Sequence, residues 1–216
     1  MERSAFGVRM HSGWGVLVAI SGDVDSIEIM DRRRIVVTDA KIPGANQPYH
    51  HAANLELKES EKYIVNCAEV SERLALAVVE GVVRELEGRR YRIVGAAILM
   101  ASGRSLPSLS GILASHPLIH AAEGEFFRHA VRKACERLEI PVTAIRERDV
   151  DEQAKAAFGN AANRIKHRIS NLGNSISPPW TKDHKTAALA ASIILSREQN
   201  FLFPGPSEEC AAAEEE

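Results

Sequence analysis

The segment His116-Pro-Leu-Ile-His120-Ala-Ala-Glu123-Gly-Glu125 holds the residue types and spacing in this sequence best suited to chemistry. On a helix, His116 and His120 stand at i and i+4 and Glu123 a further three along. All three then project from one face about a turn apart. Imidazole with carboxylate suits Zn²⁺, Mn²⁺ or Fe²⁺ better than Mg²⁺. Asp183 and His184 open a second candidate helix, so the metal set to test is His116, His120, Glu123, Asp183 and His184, with Glu123 and Asp183 as catalytic carboxylates. The same spacing also suits a solvated helix face that contributes a cap or an ion pair.

Ligand-binding candidates lie in the connections. His11 falls at a hairpin tip, and Ser102 and Arg104 belong to a Ser/Gly/Pro loop before a helix. Hydroxyls, amides and a guanidinium there suit a phosphate or a carboxylate. The loop lacks the Lys-Ser/Thr ending of a phosphate-binding P-loop, and no Gly-x-Ser-x-Gly elbow marks a hydrolase serine. His50-His51, beside Tyr49, reads either as a ligand contact or as an exposed pair.

These side chains need a scaffold, and the composition supplies an ordinary globular one. The chain has 216 residues, 45% hydrophobic and 26% charged, with a net charge of −2. That length fits one full-sized domain, which we place at residues 1–203, followed by a disordered acidic tail at 204–216. No global basic field points to nucleic acid, although Arg32-Arg33-Arg34 and Arg89, Arg90 and Arg92 form local clusters. Such clusters equally suit a solvated face or a guarded sheet edge. Three isolated cysteines, Cys67, Cys135 and Cys210, exclude a disulfide framework or a zinc cage and fit a reducing cytoplasm. No apolar run is long enough to span a membrane.

The hydropathy pattern gives the order of elements. Ser4–Met10 and Gly13–Ser21 read as a hairpin, and Ser26–Met30 with Ile35–Val37 as a third strand interrupted by the arginines. A long loop covers Thr38 to Leu57. Helical spacing then runs from Ser60 to Gly88, followed by the apolar strand Tyr91–Met100. Ser115 and Pro117 start a helix that reaches about Leu138, Pro141–Ile145 is a fifth strand, and one charged helix spans Val150–Ile169. Thr181 opens an alanine-rich last helix through Leu195. The expected fold is α/β: a mixed five-stranded sheet, three antiparallel strands then two crossover strands, with helices on both faces.

That order resembles the ribonuclease H-like superfamily. Phe6–Ile20, with Gly13-Trp14-Gly15-Val16, is similar to the first hairpin of its junction-resolving nucleases, and Asp183–Ile194 to their last helix. The resemblance implies phosphodiester hydrolysis by two Mg²⁺ ions held on about four carboxylates, one of them central in the first strand. Here the matching Gly7-Val8-Arg9 has no acid, Met100-Ala101-Ser102 has none, and the acid expected three residues after Asp183 is Thr186.

The resulting expectation is a ribonuclease H-like domain that lacks the standard two-metal activity and acts by binding a ligand, nucleic acid or protein. The alternative is a metal-dependent hydrolase or nuclease with an altered His/Glu/Asp site that uses Mn, Zn or Mg. A third reading is an assembly protein, a homodimer pairing through an edge strand or the last helix.

Overall fold

The structure is a computed structural model and describes residues 1–101 and 105–202. Its strands are β1 (Glu2–Met10), β2 (Trp14–Ser21), β3 (Glu28–Val36), β4 (Tyr91–Met100) and β5 (Val142–Arg146). They form one sheet in the order β3-β2-β1-β4-β5. β1 runs antiparallel to β2 and parallel to β4, and β4 runs parallel to β5. The helices are α1 (Pro48–Ala52), α2 (Leu57–Gly88), α3 (Leu109–Leu113), α4 (His116–Arg137), α5 (Val150–Phe158), α6 (Ala162–Leu172) and α7 (Lys182–Leu202). The mixed five-stranded α/β architecture is therefore as expected, with β1 at its centre.

Period-two alternation in β1 divides its side chains between two cores. Phe6, Val8 and Met10 join the core beneath α2 and α4, around Val79, Val82, Phe127 and Val131. Ala5 faces the other core, built with α5, α6 and α7 around Ile165, Ile169 and the run Ala187–Ala191. Helices thus cover both faces, which is why β1, β2 and β4 read as near-continuous apolar runs. The alanine face of α7 lets that helix lie directly on the sheet. A Cβ built on Gly7 would stand 2.0 Å from the carbonyl oxygen of Ala187, so residue 7 has no room for a side chain. Among the described residues, the apolar face of α7 from Ala187 to Leu195 is packed in this core.

Three local expectations change. β3 is one unbroken strand through the arginines, because β3 is a sheet edge where long side chains reach solvent or partners. Arg33 bonds Asp31 and Glu85, while Arg32 reaches the carbonyls of Ser177 and Pro179 on the other face. The helix expected over Val150–Ile169 is two helices. Gly159, at φ +52°, adopts a left-handed conformation that ends α5, and a tight turn leads into α6. The long loop contains the short helix α1, started by Pro48. Ser115 is the N-cap of α4 by position, although its side chain makes no capping bond. The expected tail at 204–216 lies outside the described residues, as do Ser102 and Arg104. Among the described residues no helix is long and apolar enough to cross a membrane.

Candidate functional site

Arg9 shares the face of β1 that carries Ala5 and Gly7, so it points toward the first turn of α7. Its guanidinium donates to Asp183 Oδ1 at 2.7 Å and to Glu147 Oε2 at 3.0 Å. Glu147 follows the end of β5, so three elements converge at the carboxyl edge of the parallel strands, where ligand sites of such sheets form. His11 comes in from the hairpin tip, with Nε2 at 2.8 Å from Asp183 Oδ2 and 3.0 Å from Arg9 Nη1. One imidazole nitrogen cannot donate to Asp183 and accept from Arg9 at once. With Nε2–H on the carboxylate, the guanidinium is left to the two acids. His11 stacks on Trp14 at a centroid distance of 4.3 Å, and Arg34 lies over the same indole at 4.3 Å. Arg128 of α4 is buried beneath this edge, donating from Nε to the Leu99 carbonyl at 2.8 Å. Burial pulls its guanidinium below the usual arginine range, against the opposing charges of Glu125 and Glu147.

His184 is the neighbour of Asp183 but serves the helix start. It is only 6% exposed, and its Nδ1 accepts the Thr181 N–H at 3.2 Å and meets Thr181 Oγ1 at 2.8 Å. Accepting a backbone N–H requires an unprotonated Nδ1. Burial, and then the charge of Arg32, hold the imidazole below its ordinary value of 6.5, and only Asp183 opposes them. The unfolded chain therefore binds this proton more readily than the folded one. Stability is full above pH 6.5 and falls as pH drops below it. Denaturant midpoints at pH 7.5 and 5.5 should show that loss, and His184→Gln should reduce it. Equal losses in the two proteins would assign the effect to another group.

A second group forms on the other side of the sheet. His116 and His120 lie on the first turns of α4, as their spacing predicts, and His50 of α1 joins them. One nitrogen from each of the three rings lies within 4.8 Å of the others. His50 Nε2 is 3.4 Å from His116 Nε2, and the ring centroids of His50 and His120 are 4.7 Å apart. Glu123 stands behind His50. Its Oε1 accepts the His50 backbone N–H at 3.1 Å and faces Nδ1 at 2.9 Å, and its side chain is 4% exposed. Burial, together with this carboxylate, pushes the Tyr49 hydroxyl above its ordinary pKa.

Local packing explains why α1 arrives there. Ile112 of α3, Ile119 and Ala122 of α4, and Tyr49 share a small apolar cluster. From α2, Ser60 Oγ donates to the Ala52 carbonyl at 2.7 Å, and the Tyr63 ring lies tilted against His51 at a centroid distance of 4.5 Å.

The five-residue metal set read from the sequence is thus divided. His116 and His120 meet His50, with Glu123 behind it. Asp183 meets His11 and Arg9 instead, and His184 caps its own helix. Among the described residues, no hydrogen bond, ion pair or ring contact joins the two groups. Sequence reasoning did not identify Glu147 or Arg9 as site members, and it weighed His50 as a ligand contact without joining it to the metal set. The signal for His50 was available: a proline-started turn bearing paired histidines inside a long loop. Cys67 and Cys135 are buried free thiols, and burial pushes Cys135 up to about 12, so neither is a nucleophile.

Two open clefts flank Asp183. One, of about 540 Å³, is lined by Arg148, Lys166, Lys182, Lys185 and Thr186 among others, and one of about 400 Å³ by Trp14, Arg32, Arg33, Arg34 and Thr181.

No family model matches this sequence, and no curated protein matches it. Among solved structures, the chain is similar to RuvC of Thermus thermophilus in complex with a Holliday junction substrate. The identity is 13% and the TM-score 0.51, over 91% of this chain and 95% of that one. A second structure of Thermus thermophilus RuvC matches at 11% identity and a TM-score of 0.48, with the same coverage. At these identities the likeness is one of fold. The five-stranded mixed sheet with helices on both faces is thus a fold shared with that RuvC.

Proposed function

We propose that this chain is a ribonuclease H-like domain that binds nucleic acid through its phosphate backbone and does not cleave it by the two-metal route. The observation that carries this reading is the guanidinium of Arg9, bonded to both Asp183 and Glu147 at the carboxyl edge of β1. Two Mg²⁺ ions require several carboxylate oxygens free to coordinate them. The residues present do not fit that pair. Asp183 and Glu147 already share one fixed guanidinium, Gly7 offers no ligand, and Thr186 bonds back to the Lys182 carbonyl at 2.9 Å. A guanidinium balances charge but has no coordination position in which to hold and activate a water as a metal ion does.

The binding half of the reading rests on the two clefts beside this network. Lys182 and Lys185 of α7 border one, and Arg34 the other. The similar RuvC was solved on a Holliday junction substrate, a branched nucleic acid. Long cations spaced on both sides of a sheet edge can follow a phosphate chain without reading its bases.

Fluorescence anisotropy with a four-way junction, a duplex and a single strand tests the proposal. The logarithm of the affinity should fall linearly with the logarithm of salt, with a slope of roughly −0.9 per phosphate contacted on duplex DNA. The double variant Lys182→Glu/Lys185→Glu should bind at least about tenfold more weakly, with a shallower slope. Incubation with Mg²⁺ or Mn²⁺ should leave the junction intact. Cleavage that Asp183→Asn abolishes would overturn the proposal, as would no binding to any of the three nucleic acids at low salt.

A further inference from the structure

We propose that His50, His116 and His120 form a Zn²⁺ site with three imidazole ligands, one open coordination position, and Glu123 as the carboxylate that orients His50. The site lies apart from the Arg9 network and does not depend on the reading given for it.

The tautomers support this assignment. Glu123 Oε1 already accepts the His50 backbone N–H, and as the acceptor of the ring as well it sets Nδ1–H in the 2.9 Å gap between them. His50 Nε2 therefore presents a lone pair, and it points at His116 Nε2, 3.4 Å away. Zn²⁺ binds imidazole nitrogen at about 2.0–2.1 Å in tetrahedral geometry, which sets two such nitrogens roughly 3.3 Å apart. The observed spacing is that of two ligands sharing one ion. His120 supplies the third nitrogen from the next turn of α4, within 4.8 Å of both. Its neighbour His116 and the ring itself are exposed, so the fourth position faces solvent.

Glu123 gives a second, independent indication. It is a carboxylate with a nearly fully buried side chain, and among the described residues its hydrogen-bond partners all belong to His50. A buried negative charge without a cation is costly. A divalent ion on the far nitrogen of the same ring would supply the missing charge, in the carboxylate–histidine–metal arrangement that fixes ligand tautomers elsewhere. Three nitrogen donors and no free oxygen donor select Zn²⁺ or Co²⁺ over Mg²⁺.

Titration calorimetry and Co²⁺ spectroscopy on the full, chelator-stripped chain test this. One Zn²⁺ should bind per chain, and Co²⁺ should give the intense visible bands of a four-coordinate site. Zn²⁺ should raise the melting temperature, and equal Mg²⁺ should not. His120→Ala, at an exposed position where the fold is unaffected, should abolish stoichiometric binding and the Co²⁺ bands. His50→Ala should do the same. Glu123→Gln should weaken Zn²⁺ by about 10–100-fold while keeping the one-to-one ratio. Circular dichroism of each variant separates loss of metal from loss of fold. Binding that survives His50→Ala would reveal only a surface pair on α4 and overturn the site. Failure to bind one Zn²⁺ in the unmodified chain would overturn it as well. Neither result bears on nucleic-acid binding.

Discussion

Gly7→Ala is expected to destabilise the chain by about 3 kcal/mol or more, because the added methyl group meets backbone and not a yielding side chain. Its carbon would lie 2.0 Å from the Ala187 oxygen and 2.8 Å from the carbonyl carbon. Relief requires α7 to move off the sheet. That movement would open the core packing of Ala187, Ala188, Ala190 and Ala191, all of which are fully buried. For a domain of this size the loss corresponds to a melting temperature lower by about 6–12 °C. Thermal unfolding followed by circular dichroism measures it. A shift within about 2 °C would mean that α7 does not press on β1 as described.

Arg9→Leu carries the second large expected effect. It removes the cation between Asp183 and Glu147 and leaves two carboxylates facing an apolar side chain. Breaking a buried pair this way costs about 3–5 kcal/mol. These groups are one-fifth to one-third exposed, and solvent reduces the expected loss to about 1–3 kcal/mol. The double variant Arg9→Leu/Asp183→Asn should recover part of the loss, because it no longer holds an unpaired charge at α7. Urea denaturation of the two single variants and the double gives the coupling directly. Strict additivity would show that the network is a surface coincidence.

The contrast between these two positions shows what the sequence could and could not reveal. Gly7 and the alanine-rich face of α7 belong to the hydropathy pattern, which depends only on which face a residue takes. That pattern therefore placed five strands, the long helices α2, α4 and α7, and helices on both faces of the sheet. Arg9, by contrast, was legible only as a missing acid. Its bonds to Glu147 and Asp183 join positions 138 and 174 residues away, and no local spacing encodes them. The histidine group divides the same way. His116 and His120 share a helix and announce themselves by their interval. His50 comes from a five-residue helix whose place depends on tertiary docking against α2 and α4. Gly159 shows a milder limit, since helical periodicity carried across the turn and joined α5 to α6.

The position of α7 in the chain bears on how the protein is made. Ala5, Val16, Val18 and Ile20 lie in the core completed by α7. As the polypeptide leaves the ribosome, one side of the finished hairpin therefore stays wet until more than 180 residues have emerged. The opposite side can already close with α2 and α4. Synthesis thus passes through a half-covered sheet, sticky on one surface, and a premature stop anywhere before α7 would leave that surface permanently bare.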